Sequence, residues 1–311
     1  MTARLRTVFF GSSEFSLQTL RKLIVEQDVL AVCTRPDRPA GRGLALTPTP
    51  VARLASESGV EVFAPARLDA VAVAAVASKR PQLLAVASYG RILPRALLDI
   101  PGATALNLHP SLLPAYRGAT PIQSALRDGC ETTGVTVFWM SDGMDDGDIA
   151  LAQEVAIEPD EDYGALHDRL AVIGGDLLAR AARELAQGIL PRIPQRADAA
   201  TFTRPLSKDD LRLNFHVPAR VVVNQVRSLS PKPAAWMSFE GKRLKVLSAR
   251  SVAADLQVRP AGTQPGELLA WSDEGPVIVA EPGAVALTRV VPEGKPAMSG
   301  DEFAKRSRSS R

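Results

Sequence analysis

Cysteine and histidine are scarce in this chain. Cys33 and Cys130 are its two cysteines among 311 residues. They stand alone, with no C-x-x-C pair and no Cys/His cluster, so neither a disulfide framework nor a metal site is expected. A reducing compartment, the cytoplasm, fits that usage. Three histidines, His109, His167 and His216, are the whole supply of imidazole. Long apolar runs are missing as well: no stretch approaches a membrane span. After Arg4 and Arg6 the run Val8-Phe9-Phe10 stops at Gly11, which reads as a first strand and not as a signal peptide. The loop after it, Gly11-Ser12-Ser13, lacks G-x-G-x-x-G, which disfavours a nicotinamide dinucleotide. There are no repeats. Net charge is only +3, but it is unevenly spread. Residues 204–311 hold 17 Lys/Arg against 11 Asp/Glu, whereas residues 1–203 hold 20 against 23. A basic smaller half beside an acidic larger half points weakly to a polyanionic partner, and equally to a solubilising surface.

What is present is apolar periodicity. Hydrophobic residues make up 46% of the chain, enough for one large core and a smaller one. Leu5–Phe10, a helical stretch from Glu14 to Glu26, and Val29–Cys33 form a βαβ unit. Gln82–Ser88 is a near-continuous apolar strand, as a buried parallel strand should be. These elements predict a Rossmann-like, doubly wound, mostly parallel sheet over residues 1–188. Asp162–Gln187 reads as a long closing helix, with His167 as a structural residue on it. A proline-rich linker spans 189–207. Residues 208–311 carry one helix, Ala219–Leu229, then short strands with Gly/Pro turns, which predicts a small OB-like β-barrel. His216 has no acidic or Cys partner at ligand spacing, and the basic tail Lys305–Arg311 is expected to be disordered.

Three loops stand out. Thr104–His109 is a short strand ended by Pro110, and strand alternation puts Asn107 and His109 on one face. A carboxamide and an imidazole thereby meet at the carboxyl end of a strand, where ligands bind in open α/β sheets. Such a pair alone is more often structural than catalytic. The acidic stretch Met140–Asp148 changes the weighting, because it follows a second apolar strand, Gly134–Trp139. In a parallel sheet both loops would open on one edge. The third loop, Thr34–Pro50, is long, proline-rich and basic through Arg35, Arg38 and Arg42. It is either a flexible insertion or a phosphate-contacting arm. Tyr89-Gly90-Arg91-Ile92-Leu93-Pro94 leaves the Gln82–Ser88 strand and offers apolar surface for a flat ligand, or ordinary core packing.

Taken together, Arg-Pro-Asp-Arg-Pro-Ala-Gly-Arg-Gly at 35–43, Tyr89-Gly90-x-Ile92-Leu93-Pro94 and Asn107-x-His109-Pro110-Ser111-Leu112-Leu113-Pro114 resemble the methionyl-tRNA formyltransferase family. Arg117-Gly118, Gly134-Val135-Thr136, Asp145-x-Gly147-Asp148 and Met298-Ser299-Gly300 continue the resemblance over nearly the whole chain. It implies a monomer that uses 10-formyltetrahydrofolate as formyl donor and initiator methionyl-tRNA as acceptor, without a metal. The family's catalytic Asn, His and Asp map to Asn107, His109 and Asp145. Its folate-binding segment maps to Ser111, Leu112, Leu113 and Pro114, with Tyr89 and Ile92 in the neighbouring loop. Its basic tRNA loop maps to Arg38 and Arg42.

The chain departs from the family at Asp146, where Thr is usual, at Asp69 and Ala64, and in Ser230-Pro231-Lys232-Pro233, which lacks an aromatic residue. The implied chemistry is amine attack on a formamide-like carbon. Asn107 and His109 are candidate donors to the developing oxyanion. Asp145 is a candidate proton acceptor, directly or through water, or an anchor for His109. An amino-sugar or purine-precursor formyltransferase, a formyl-folate hydrolase and a non-catalytic RNA-binding protein are the alternatives. The basic loop yields a prediction. Arg42→Ala should lower kcat/KM more for initiator than for elongator tRNA, narrowing the preference by roughly 1–3 kcal/mol. Equal fractional losses on the two tRNAs would reject a discriminating role.

Overall fold

The computed structural model describes residues 3–40, 45–252 and 262–309. The chain folds into two compact units. The first comprises residues 1–118, 132–156 and 167–202, and the second residues 119–131, 157–166 and 203–311. In chain order the first half contains β1 (Arg6–Gly11), α1 (Ser16–Glu26), β2 (Asp28–Cys33), β3 (Arg38–Ala40), β4 (Ala45–Thr47), α2 (Pro50–Glu57) and β5 (Glu61–Phe63). Then follow α3 (Ala70–Ser78), β6 (Leu83–Ala87), α4 (Arg95–Leu98), β7 (Thr104–His109), β8 (Arg117–Gly118), α5 (Pro121–Asp128), β9 (Thr132–Trp139), β10 (Ile149–Ala156) and α6 (Tyr163–Ala186).

Seven strands of the first unit form one sheet in the order β10-β9-β7-β6-β1-β2-β5. From β5 to β7 all pairings are parallel. This is the Rossmann-like sheet that the apolar strands predict. All five residues of β6 are buried, which is why its sequence reads as continuous rather than alternating. Sequence order reverses between β1 and β6, so the crevice at their carboxyl ends is the topological switch point. Local signals set several helix starts. Thr49 Oγ1 accepts from the Ala52 N–H at 3.0 Å with Pro50 in the first turn. Asp69, one of the departures from the family pattern, caps α3 by accepting from Val71 and Ala72 N–H at 3.1 Å. Such caps contribute about 1 kcal/mol each.

Three expectations need correction. First, β9 runs antiparallel to β7, with Leu106 opposite Trp139 and His109 opposite Thr136. The acidic loop therefore leaves β9 at the opposite end from His109, not on a shared edge. Second, Thr34–Pro50 is not a plain loop, because Arg38–Ala40 and Ala45–Thr47 pair as the arms of a β-hairpin. Arg42 itself lies outside the described residues. Third, the basic tail is helical through Ser309.

The second unit carries β11 (Phe202–Thr203) at its boundary, then α7 (Ala219–Leu229), β12 (Ala235–Phe239), β13 (Lys242–Val252), β14 (Leu268–Ser272), β15 (Gly275–Val279), β16 (Ala284–Pro292), β17 (Met298–Ser299) and α8 (Gly300–Ser309). Its sheet is antiparallel in the order β12-β13-β16-β15-β14, with β17 added to β16. β13 is the long strand, and its register slips twice near Ser248, the bulging that lets one strand bend. Val222, Val226 and Leu229 of α7 share a core with Val246, Ile278 and Leu287. α8 holds the tail because Phe303 packs edge-on to Phe239 at 5.5 Å. In addition, Asp301 and Glu302 pair with Lys305 and Arg306 one turn later. Acids in the first turn and bases in the last also suit the helix dipole.

One glycine fixes the β9–β10 hairpin against the Ser111 loop. A Cβ on Gly134 would lie 2.2 Å from the Gln153 carbonyl oxygen and 2.5 Å from Leu112 Cδ2. Gly134→Ala should destabilise the protein by about 1–3 kcal/mol in urea unfolding, the usual cost of overpacking a closed site. A change below about 0.5 kcal/mol, the scale of a neutral surface substitution, would show that this contact is not constraining.

Candidate active site

Strand alternation on β7 is realised as expected. Leu108 is buried and abuts Gly174 of α6, where an added Cβ would come within 2.7 Å of its Cδ2. Asn107 and His109 therefore face the other side of the sheet. His109 is 5% exposed. Its Nε2 lies 2.9 Å from the Tyr116 carbonyl oxygen, and a carbonyl can only accept, so Nε2 carries the hydrogen. In the neutral ring Nδ1 then has a lone pair. It faces Asp145 Oδ2 at 3.5 Å. Burial pushes the imidazole pKa below its ordinary value, while the Asp145 carboxylate and the Tyr116 carbonyl pull it back up. The half-buried Asn107 makes no side-chain hydrogen bond among the described residues, so its amide is available to a ligand.

Asp145 reaches His109 because the loop between β9 and β10 folds back on itself. Gly147 permits the return: a Cβ there would sit 1.8 Å from the Trp139 carbonyl oxygen. Asp145 has φ +51°, a left-handed conformation that Asp tolerates better than most residues. Its Oδ2 accepts the Gly118 N–H at 2.9 Å. Its carbonyl and that of Gly147 accept from Gln195 Nε2 at 2.9 and 2.7 Å. Gln195 Oε1 in turn accepts from Arg117 Nε and a terminal guanidinium nitrogen at 3.2 and 2.8 Å. Outside the core of the site, Arg95 holds Asp142 at 2.8 Å. Asp146 accepts from Ser141, so the extra carboxylate is turned into its own loop. Arg192 pairs with Asp148 at 3.3 Å and stacks on Trp139 at 4.4 Å.

The loop from Ser111 to Gly118 is closed by its own polar groups. Ser111 Oγ donates to the Ala115 carbonyl at 2.6 Å. Thr136 Oγ1 donates to the Ser111 carbonyl at 2.7 Å and accepts from the Leu113 N–H at 3.1 Å. Ser111 and Leu113 are buried, and Leu112 and Pro114 are partly exposed. The segment thus presents apolar wall rather than free hydroxyls. In the neighbouring loop the two candidates separate. Ile92 is 82% exposed. The Tyr89 ring lies in the core, edge-on to Phe10 at 5.5 Å with its hydroxyl 3.6 Å from Cys33 Sγ. What Tyr89 offers at the sheet edge is its carbonyl, which accepts from Arg35 at 3.2 Å. Arg38 is exposed on the β3–β4 hairpin. Burial also pushes the Cys33 thiol up to about 11, so it stays protonated and inert.

Sequence reasoning does not single out Tyr116, Gly118, Thr136 or Gln195 as site residues. Gln195 falls inside the expected linker 189–207. Its stretch is instead bound to the first unit: Ile193 and Ile149 exchange backbone hydrogen bonds at 2.8 and 2.9 Å, and Thr201 binds Tyr116 and Arg117. No periodicity marks Gln195. The motif Arg117-Gly118 is the available signal, because it positions the groups that Gln195 and Asp145 use.

The two-domain chain is a formyl transferase by its match to both domain models of that family. Residues 5–182 match the formyl transferase family model, and residues 205–308 match the model for the formyl transferase C-terminal domain. The chain belongs to the methionyl-tRNA formyltransferase family. It is 37% identical over 300 residues to the methionyl-tRNA formyltransferase of Carboxydothermus hydrogenoformans, covering 96% of each chain. It is 39% identical to that of Symbiobacterium thermophilum, covering 96% of this chain and 91% of the relative. Among solved structures, HypX from Aquifex aeolicus in complex with tetrahydrofolic acid shares the fold with a TM-score of 0.63 at 17% identity. The alignment covers 97% of this chain but 47% of HypX, so the chain spans about half of that neighbour.

His109→Ala and Asp145→Ala should each lower kcat by at least about a hundredfold with little change in folate affinity. Near-normal turnover by either folded variant in steady-state assays would remove the pair from the chemistry.

Proposed function

We propose that this protein transfers the formyl group of 10-formyltetrahydrofolate to the α-amino group of methionine on initiator methionyl-tRNA, in the cytoplasm. The observation that carries this reading is the extent of the likeness. Relatives named methionyl-tRNA formyltransferase match at 37–39% identity across both halves of the chain. The tetrahydrofolic acid bound by HypX supports a folate-derived donor here. The folate would lie against the apolar wall formed by Leu112, Leu113, Pro114 and the exposed Ile92.

The site geometry supports a division of labour. The amine nitrogen attacks the formyl carbon, the carbonyl oxygen becomes an oxyanion, and the bond from carbon to folate N10 then breaks. Asn107 Nδ2 donates to the oxyanion. A donor of this kind is worth roughly a hundred- to a thousandfold in rate. His109 has both ring nitrogens engaged, Nε2 with Tyr116 and Nδ1 toward Asp145. Its natural task is therefore proton handling. The Nδ1 lone pair and the Asp145 carboxylate form an acceptor for the proton that the attacking ammonium must lose. Accepting it converts a repulsive contact into a charge-assisted hydrogen bond. That proton goes on to solvent; a second proton, lost from the same nitrogen once it has bonded to the formyl carbon, passes through the pair to N10 as tetrahydrofolate leaves, so the transfer balances with no further co-reactant.

The test is an acceptor comparison with purified protein and 10-formyltetrahydrofolate. Initiator methionyl-tRNA should be formylated with a far higher kcat/KM than aminoacylated elongator tRNA or free amino sugars. Preferential formylation of an amino sugar, or release of formate without any acceptor, would overturn the assignment.

A further inference from the structure

We infer that Gln195 is a positioning residue for Asp145: its amide locks the acidic loop in the conformation that aims the Asp145 carboxylate at His109. The inference rests on the reading of Asp145 and His109 as the proton acceptor, and adds a residue from a different part of the chain. The orientation of the amide is fixed by its partners. The carbonyls of Asp145 and Gly147 can only accept, so Nε2 must point at them. The Arg117 guanidinium can only donate, so Oε1 must point at it. A flipped amide would face donors with donors and acceptors with acceptors.

The two carbonyls belong to residues 145 and 147 and flank the tightest part of the loop. Drawing both onto one nitrogen holds Asp145 at φ +51°. A residue other than glycine keeps such a backbone when its surroundings over-determine it. Gln195 is itself held from behind. Arg117 is 7% exposed and lies between Tyr116, whose carbonyl binds His109, and Gly118, whose N–H binds Asp145. Three consecutive residues thus fix the imidazole, the amide and the carboxylate. Without the Gln195 N–H groups, Gly118 alone would hold Asp145, and the loop could turn the carboxylate away from Nδ1.

Among the described residues, charged neighbours of His109 are few. Asp145 faces it from the β9–β10 loop, and Arg117 adjoins through Gln195. Asp146 and Asp148 are turned to Ser141 and Arg192. Asp145 raises the proton affinity of the imidazole, so displacing Asp145 lowers the His109 titration midpoint.

Two variants of the full-length protein separate the arms. Gln195→Met keeps the length and removes every polar contact. Gln195→Glu keeps the acceptor for Arg117 and removes both donors. In single-turnover formylation both should lose roughly ten- to a hundredfold in rate, as misplacement of a catalytic group by about 1 Å does. KM for tRNA and folate should stay within about twofold. An NMR titration of the three histidines should show the His109 midpoint lower in Gln195→Met than in the wild type. An unmoved midpoint in folded Gln195→Met, or a wild-type rate in Gln195→Glu, would overturn the inference. If Gln195→Met fails to fold, the rate of Gln195→Glu decides. The titration needs no substrate, so a wild-type chain that formylates nothing would count against the proposed function and leave the titration to judge Gln195.

Discussion

The site depends on one constraint, an imidazole buried between two oxygen acceptors, a carbonyl and a carboxylate. Tyr116 supplies a carbonyl that claims the hydrogen on Nε2. Asp145 supplies a carboxylate opposite Nδ1. Burial opposes the charged ring and outweighs the carboxylate that favours it, so His109 rests neutral while Asp145 keeps the charged state within reach. Such a base can take a proton from an incoming ammonium and, after C–N bond formation, hand one to the leaving nitrogen within one turnover. Asn107, on the same face of β7, is left free to attend to the oxygen of the formyl group.

The surroundings follow from that constraint. Because β9 is antiparallel to β7, its loop begins about three residues, or roughly 10 Å, away from His109. Asp145 has to travel back, and three features serve the return: Gly147 where a side chain would strike the Trp139 carbonyl, the left-handed Asp145, and the Gln195 amide on two carbonyls. The segment from Ile193 to Thr201 is therefore part of the site, tied to β10 at one end and to Tyr116 and Arg117 at the other.

Much of this is legible in the sequence, for physical reasons that differ by element. Apolar runs such as Leu83–Ala87 are readable because full burial leaves little choice of side chain. The pairing of Asn107 with His109 follows from strand alternation alone. Strand direction is not readable: an apolar run looks the same whichever way it runs, and the expectation of a parallel β9 fails for that reason. Gln195 is invisible because one amide in a proline-rich stretch has no period. The tail misleads because a window on its basic residues excludes Asp301, Glu302 and Phe303, which make the helix stable. Tyr89 looks like a ligand platform because an aromatic residue next to glycine suits a loop, whereas its ring fills a core position against Phe10.

The claim at the centre of this account is that His109 is a neutral base whose Nδ1 lone pair faces the Asp145 carboxylate. Its most direct test is ¹⁵N NMR of the His109 ring in the wild-type protein and in Asp145→Asn. At neutral pH the wild-type ring should be neutral with its hydrogen on Nε2. Its midpoint should lie below the ordinary histidine value and fall further in Asp145→Asn. A ring that is cationic at neutral pH, or neutral with its hydrogen on Nδ1, would contradict the account.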